Sequence, residues 1–418
     1  MLWPRNLKNS ILEAAEDTPV VLVNGARQTG KSTLMKALFS GPSAPEYLSF
    51  DDLALLNAAR NDPQSFIETL PESVIIDEIQ RAPELMLPIK YSVDRDRRPG
   101  RFFLTGSANV LALPKVADTL VGRIEIHTLW PLSQGELNGV RESFIDTIFG
   151  DNRPNTKTRL DLPDLIQLMS VGGYPEAVRR QIPGRRKSWF DSLITTLIER
   201  DVRDLRHIEQ MALMPKLLEL IASRAGGLLN YSDIARSLDM KLTTVKTYLS
   251  LLELLFLVVP VQPWFGNLGK RLVKSPKLYL NDTSLLCHLL GRDAKALARN
   301  GSLLGAVFEN FVLMELMKQI TWSETAPRLY HFRTEYGEEV DFVLEARDGR
   351  LVGIECKAGS LAQSAPKGLQ VLKELAGRKF HRGIVLYTGS HIIGLDESIQ
   401  AVPVSALWET SSGAAVVL

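Results

Sequence analysis

The chain has 418 residues, of which 45% are hydrophobic and 23% are charged. This composition is typical of a soluble globular protein, and the length predicts about two to four domains. The net charge of +1 excludes a chain that attracts polyanions over its whole surface, so any nucleic-acid-binding surface has to be local. The two cysteines, Cys287 and Cys356, are too few for a disulfide framework and are typical of a reducing cytoplasm.

The sequence predicts no membrane segment. Residues 1–19 contain an early proline and mixed charges, without the apolar stretch of a signal peptide. The longest apolar run, residues 251–261, contains Glu253 and Pro260 and is too short to span a bilayer. We therefore expect a cytoplasmic protein that does not enter the membrane.

Short apolar runs alternate with helical or polar stretches between residues 20 and 130. The runs are VVLVNG (20–25), EYLSF (46–50), SVIIDE (73–78) and RFFLTGS (101–107). This alternation predicts βαβ units around a buried parallel sheet. Because ligands of such sheets bind at the carboxyl ends of the strands, we expect the functional site there.

The segment after the first run fits the phosphate-loop pattern G-x-x-x-x-G-K-[ST] and opens a predicted helix. Glycines allow successive N–H groups to point at one phosphate, and the helix N-terminus favours negative charge. We predict that this segment binds ATP, with Lys31 on the β- and γ-phosphates and Ser32 on Mg²⁺. The predicted binding residues are Gly25, Ala26, Arg27, Gln28, Thr29, Gly30, Lys31, Ser32 and Thr33.

Two acids end the third run, in VIIDE. We expect Asp77 to hold Mg²⁺ through water and Glu78 to polarise the attacking water. Such a pair argues against a small-molecule kinase, which has to exclude water. The fourth run ends in Thr105, Ser107 and Asn109. Of these, Ser107 is the favoured candidate to contact the γ-phosphate or orient the water, with an ordinary turn as the alternative.

These motifs, with LVGRIEIHTLWPLSQGEL and GGYPEAV, resemble the bacterial and archaeal AAA-type ATPases that end in a domain of unknown function (DUF4143). The resemblance covers nearly the whole chain. It implies a nucleotide-driven machine that forms oligomers, in a homo-oligomeric ring. It also implies that Arg123, in LVGR, acts as an arginine finger on the nucleotide of a neighbouring subunit. From the residues alone, an ordinary surface arginine is the alternative.

Residues 228–258 read as two helices about a turn, which is typical of a winged-helix unit. Ser232 and Thr243 are candidate helix caps. Outward-facing side chains suited to DNA contacts are expected at Lys241, Thr243, Thr244, Lys246 and Thr247. Two acid-free basic patches add to the DNA prediction; they comprise Lys270, Arg271, Lys274 and Lys277, and Arg179, Arg180, Arg185, Arg186 and Lys187. Winged helices also bind proteins, and charge runs are often solvated faces.

The carboxyl-terminal part contains EVDFVLE followed by GIECKAG. Period-two geometry places Glu355 and Lys357 on one strand face, and a hairpin would bring Asp341 beside them. Glu309, on the preceding helix, is expected to point into the same cleft. The order helix, strand, strand and helix resembles the PD-(D/E)xK nuclease fold, in which such residues hold Mg²⁺ and hydrolyse phosphodiesters. No proline precedes Asp341, and an exposed pair of charges is the alternative.

We therefore predict an α/β chain in four parts. They are a P-loop ATPase core with a parallel sheet (1–135), a helical lid (136–210), a winged-helix module (211–290) and a restriction-endonuclease-like α/β domain (291–418). The preferred interpretation is an oligomeric ATPase that acts on duplex or branched DNA. The alternatives are an ATP-regulated, Mg²⁺-dependent nuclease and a nucleotide switch that binds protein partners.

Overall fold

A five-stranded parallel sheet forms the first part of the chain. The computed structural model describes residues 2–41, 44–108, 120–152, 154, 156, 160–202, 211–265, 275–359 and 366–415. The strands are β1 (Val20–Asn24), β2 (Glu46–Ser49), β3 (Val74–Asp77), β4 (Phe102–Gly106) and β5 (Ile124–Thr128). They are ordered β2-β3-β4-β1-β5, and all neighbours run parallel. The four apolar runs are four of these strands. The fifth was not predicted as a strand because it lies at the sheet edge, where partly exposed residues break its apolar pattern.

Helices cover both faces of this sheet, which is why its inner strands read as unbroken apolar runs. Val21 and Val23 pack with Ile11 and Met35 on one face. The alternate residues of β1 pack on the other face with the remaining helices. The helices around the sheet are Lys8–Asp17, Lys31–Leu38, Leu53–Asn61, Pro63–Glu68 and Met86–Arg95.

The next segment is mostly helical, as expected. It contains the short strand β6 (Val140–Glu142) and a π-helical turn at Leu197–Val202. Its helices are Gln134–Asn138, Phe144–Phe149, Leu162–Val171, Pro175–Arg179 and Pro183–Thr196.

A winged-helix unit follows. Its helices are Met214–Ser223, Tyr231–Ser237 and Leu242–Leu254, and its antiparallel hairpin, here called the wing, is β7 (Val258–Val261) and β8 (Lys277–Leu280). The cap predictions are wrong. Asn230, rather than Ser232, accepts a hydrogen bond from the Asp233 N–H at 3.1 Å, because the helix begins at Tyr231, two residues earlier than a Ser232 cap requires. Thr243 lies inside a helix that begins at Leu242. Two further helices, Thr283–Leu289 and Ala294–Arg299, lead onward.

The carboxyl-terminal part begins with Gly301–Ile320, here called the long helix. The strands are β9 (Arg328–Arg333), β10 (Glu339–Glu345), β11 (Leu351–Lys357), β12 (Phe380–Tyr387), β13 (Ile393–Gly394), β14 (Ile399–Pro403) and β15 (Ser411–Ala415). Six form a sheet ordered β13-β14-β12-β11-β10-β9, in which β9 to β11 are antiparallel and β11, β12 and β14 are parallel. The strand β15 pairs with β6.

This sheet also has helices on both faces. Leu369 and Leu372 of the helix Lys367–Ala376 pack with Val340 and Val343 on one side. Phe342 and Ile354 belong to the large core that includes the long helix on the other side. A short helix, Ala406–Glu409, follows β14. The predicted order of helix, strands and helix is therefore observed. Across the described residues, no helix is both long enough and apolar enough to cross a membrane.

Candidate functional site

The phosphate loop leaves the carboxyl end of β1 in a conformation that requires positive φ at Gly25 (144°), Gln28 (66°) and Gly30 (95°). A Cβ on Gly25 would lie 2.3 Å from the Leu129 carbonyl oxygen, so only glycine fits there. The Lys31 ammonium is buried and donates to the carbonyls of Gly25 (3.0 Å) and Ala26 (2.8 Å). Its helix begins at the same residue, so a helix N-terminus faces the loop.

Asp77, at the end of β3, is surrounded by hydroxyl groups. The Ser32 hydroxyl lies 2.9 and 3.0 Å from its two carboxylate oxygens, and Tyr47 donates to it at 2.5 Å. Thr105 also donates to Asp77. Burial and the Asp77 carboxylate raise the pKa of the Tyr47 phenol, which stays a donor. A serine hydroxyl beside a carboxylate is the oxygen donor set that Mg²⁺ prefers, so these residues fit that ion.

Glu78 follows directly, with a positive φ of 59° that turns its side chain away from the strand. Its carboxylate accepts hydrogen bonds from Ser107 (3.2 Å) and from Gln80, and Gln80 also donates to Ser107 at 2.9 Å. Ser107 is therefore placed to orient Glu78. Gln80 and Tyr47 were not predicted as site residues, because neither stands at a fixed place in a phosphate-loop motif.

Residues of the phosphate loop and both acids line a cavity of about 530 Å³. Its other walls come from the amino-terminal segment and from the helix Pro175–Arg179, with Trp3, Arg5, Glu176 and Arg179 among the lining residues. Arg5 donates to the carbonyls of Thr29 (2.8 Å) and Trp130 (2.6 Å) and pairs with Glu136 at 3.0 Å, so it braces the loop. No spacing signal in the sequence marks these wall residues.

The GGY turn joins this cavity to the winged-helix part. The N–H of Gly173 donates to Asp282 at 2.7 Å, and a Cβ on Gly173 would lie 2.1 Å from the Leu132 carbonyl oxygen. The Tyr174 hydroxyl accepts from Asn281 at 2.8 Å. The turn therefore has no room for side chains at its glycines, and it holds the wall helix in place.

Arg123 lies at the amino-terminal ends of the strands, whereas the phosphate loop leaves the carboxyl end of β1. It precedes β5, and its carbonyl accepts from the N–H of Val20 at the start of β1, so roughly 16 Å of strand separates it from the loop. Its guanidinium pairs with Asp94 at 2.5 Å. Within one subunit it is therefore remote from the phosphates.

In the basic patch at residues 179–187, three of the five side chains have local partners. Arg179 and Arg180 both pair with Glu176, at 3.1 and 2.5 Å. Arg186 donates to the carbonyls of Ala177 and Arg180 at 3.1 and 3.0 Å. Arg179 and Arg180 therefore pair with an acid of their own helix, whereas Arg186 joins its helix to the one before it. Arg185 and Lys187 are exposed.

On the winged helix, Lys241, Thr243 and Lys246 are exposed as expected, whereas Thr244 and Thr247 are half-buried. Lys246 lies 5.4 Å from the centre of the Tyr231 ring. In the basic patch at residues 270–277, Lys270, Arg271 and Lys274 lie outside the described residues, as does Asn109. Lys277 is wrong as a surface cation: its side chain is 3% exposed.

The four residues of the predicted nuclease site do converge. Asp341 of β10 accepts from the Cys356 N–H of β11 at 2.8 Å, and Glu355 pairs with Lys357 at 2.9 Å. Burial, with Glu309 and Glu355 nearby, raises the pKa of Asp341. The Lys277 ammonium lies among these acids, 2.9 Å from Glu309 and 3.8 Å from Asp341. Among the residues that the structure describes, no three His, Cys, Asp or Glu side chains are arranged to hold a metal ion.

Three protein-family models match consecutive segments of this chain. Residues 17–138 match the model described as an AAA domain, residues 162–296 a domain of unknown function (DUF8612), and residues 304–407 a domain of unknown function (DUF4143). Uncharacterized protein Mb2031c of Mycobacterium bovis and Uncharacterized protein Rv2008c of Mycobacterium tuberculosis are each 32% identical over 410 residues. The match covers 98% of this chain and 85% of each relative.

Solved structures with related features include AMPPCP-bound DnaA from Aquifex aeolicus, at 14% identity and a TM-score of 0.28, covering 59% of this chain and 85% of that one. A single-residue variant of Thermotoga maritima RuvB matches at 20% identity and a TM-score of 0.27, covering 61% of this chain and 88% of that one. With such TM-scores neither carries an argument here.

The parallel sheet, the phosphate loop and the paired acids define the class of P-loop ATPases. Proteins of this class bind nucleotide, usually with Mg²⁺. Within it, the chain belongs to the family of AAA-domain proteins with a carboxyl-terminal DUF4143 domain that includes Rv2008c and Mb2031c.

Proposed function

We propose that the chain hydrolyses ATP with Mg²⁺ and uses the cycle, as a ring-shaped homo-oligomer, to act on DNA. The observation that carries the ATPase part is the contact between the Ser32 hydroxyl and Asp77 beside a Glu78 carboxylate held by Ser107. Asp77 and Ser32 would hold the ion, and Lys31 with the loop N–H groups would bind the phosphates. A bound Mg²⁺ neutralises charge on the phosphate oxygens. Glu78 takes a proton from the attacking water.

The oligomeric part rests on Arg123. Its position at the amino-terminal ends of the strands supports action on a neighbouring subunit, since it cannot reach the phosphates of its own. Mixing two inactive variants tests this. Arg123→Ala keeps an intact pocket but lacks the arginine, and Lys31→Ala keeps the arginine but lacks the phosphate ligand. We expect the mixture to hydrolyse ATP faster than either variant alone. A mixture no faster than its components would refute action in trans.

The DNA part rests on the exposed face of the winged helix, where Lys241 and Lys246 point to solvent. Lysines that contact phosphates release counterions, so losing two of them should reduce the salt slope of DNA binding by about two. The test compares Lys241→Glu/Lys246→Glu with the control Lys295→Glu, an exposed lysine on another helix. Binding and ATP turnover are measured with duplex, forked and single-stranded DNA. If wild type shows neither salt-sensitive binding nor stimulation, the DNA part fails.

The nuclease alternative draws support from the convergence of Glu309, Asp341, Glu355 and Lys357, but an ammonium lies among these acids. Supercoiled and branched DNA incubated with Mg²⁺ or Mn²⁺ tests it, with Asp341→Ala as the negative control. Equal cutting by both proteins would rule the assignment out. The protein-partner alternative predicts partners that survive nuclease treatment and moderate salt in a pull-down.

A further inference from the structure

The first residue of β8 places its side chain between the wing and the carboxyl-terminal sheet. The Lys277 ammonium contacts the carboxylates of Glu309 (2.9 Å), Glu339 and Asp341 (3.8 Å). Two residues further along the same strand, the Tyr279 hydroxyl donates to the same Glu309 oxygen at 2.6 Å. One wing strand thus inserts a cation and a phenol donor among acids of the long helix and β10.

Glu355, the acid of the cluster on β11, is only partly neutralised by its hydrogen-bond donors. One Glu355 oxygen accepts from Lys357, whereas the other is buried and has no hydrogen-bond donor within the described chain. Glu355 is 8% exposed, and its charge acts on Asp341. The cluster therefore combines four carboxylates with two ammonium groups and the Arg333 guanidinium, which lies 3.4 Å from Glu339. Buried carboxylates require a compensating cation, since an unpaired charge is costly away from water.

We propose that this cluster is a cation site filled by the chain's own Lys277, and that a divalent cation enters it only when that ammonium is removed. The side chain supplies the positive charge that a metal ion supplies in a carboxylate site. It is tethered to the strand and cannot diffuse away, so a free ion has to compete with a ligand of high effective concentration.

The arrangement of the acids supports this proposal. Three carboxylates, from the long helix and β10, contact the one ammonium. With Lys277 among them, the described acids are not arranged to hold a metal ion. Removing the ammonium would leave Glu309, Glu339 and Asp341 without that cation. Glu309 and Glu355 both repel a charge on Asp341. A divalent cation is then the simplest source of compensation, because hard oxygen ligands suit Mg²⁺ and Mn²⁺.

The lysine therefore has two consequences for the molecule. The carboxyl-terminal domain has the order of helices and strands of a nuclease fold, but its acids bind a lysine of the wing. The wing is in turn fixed to that domain by a buried ion pair, so the two parts behave as one unit. Breaking the pair should loosen this junction as well as expose the acids.

The test measures Mn²⁺ uptake by electron paramagnetic resonance in the full-length, nucleotide-free protein. We expect Lys277→Gln to bind one Mn²⁺ at least tenfold more tightly than wild type, and the gain to vanish in Lys277→Gln/Asp341→Asn. Lys357→Gln is the matched control, because that lysine is 46% exposed and its ion pair within the described chain is with Glu355. It should gain no Mn²⁺ site. A Lys277→Gln protein that folds but binds no more Mn²⁺ than wild type would overturn the proposal.

Thermal unfolding provides a second readout. The melting temperature of Lys277→Gln should fall below that of wild type and rise again with Mn²⁺, whereas the Asp341→Asn double variant should not respond. If Lys277→Gln does not fold, wild type alone decides. Mn²⁺ uptake by wild type that is lost in Asp341→Asn would contradict a site already filled by the lysine, and absence of such uptake supports it. The protein carries no nucleotide, so failure here would be independent of the ATPase proposal.

Discussion

Replacing Glu78 with glutamine should separate nucleotide binding from hydrolysis. The side-chain amide keeps the size of the carboxylate and one oxygen that can accept from Ser107, so the local contacts of the acid are largely preserved. Only its ability to accept a proton is lost. The contacts of the phosphate loop, formed by Lys31 with the Gly25 and Ala26 carbonyls, do not involve Glu78. We therefore expect ATP affinity close to that of wild type.

The expected loss lies in turnover. General-base catalysis contributes about 10²- to 10⁴-fold, which corresponds to roughly 3 to 5 kcal/mol of activation free energy. The assay measures phosphate release at saturating ATP together with the Kd of a fluorescent ATP analogue. Glu84→Gln is a control, because Glu84 is partly exposed and pairs with Arg60 at 3.5 Å. Turnover of Glu78→Gln within threefold of wild type would refute the role of this carboxylate.

Individual contacts lead to three more predictions. Gly173→Ala should lower the unfolding free energy by about 1 to 3 kcal/mol, because its Cβ would lie 2.1 Å from the Leu132 carbonyl oxygen. Urea denaturation compares this variant with Gly184→Ala, whose added Cβ would meet no atom within 4 Å. Equal unfolding curves for the two variants would contradict the prediction. In the same assay, Asn230→Ala should lower the unfolding free energy by about 1 kcal/mol and Ser232→Ala by less than about 0.5 kcal/mol, because Asn230 caps the helix. A larger loss for Ser232→Ala than for Asn230→Ala would indicate that Ser232 is the cap, as the sequence predicted. Burial, with a contribution from Lys277, lowers the pKa of His331 to about 4. The unfolded chain therefore binds the proton first, and the contribution of His331 to stability, present above pH 6.5, should fall by about 2 kcal/mol at pH 5. Urea denaturation at both pH values should show a smaller loss for His331→Gln than for wild type, and equal losses would contradict this contribution.

The parts of the fold with strong local signals could be predicted from the sequence. Four strands of the nucleotide-binding sheet appear as apolar runs that end at the site, and three of these strands are buried along their whole length. The phosphate loop has a fixed spacing. On β11, Glu355 and Lys357 stand two residues apart and form an ion pair, and Asp341 of β10 lies beside them as expected. The edge strand β5 lacked such a run and was missed.

Contacts between distant segments could not be predicted. In the sequence, Lys277 is one of several basic residues close together. Only the packing of β8 against the long helix and β10 shows that acids surround it. Arg5 braces the phosphate loop from a position 24 residues before Thr29. Tyr47 reaches Asp77 because β2 and β3 are neighbours in the sheet. Tertiary contacts of this kind leave no periodic signal in a single sequence.

The proposed mechanism depends above all on the loop at residues 25–32, which has to hold a nucleotide phosphate through the Lys31 ammonium and the metal ligands beside it. Titration of the purified protein with a fluorescent ATP analogue and Mg²⁺ tests it most directly, with wild type, Lys31→Ala and Asp77→Asn side by side. We predict saturable binding by wild type, a loss of at least tenfold in affinity for Lys31→Ala, and loss of the Mg²⁺ dependence for Asp77→Asn. Equal binding by all three proteins, or none by wild type, would contradict it.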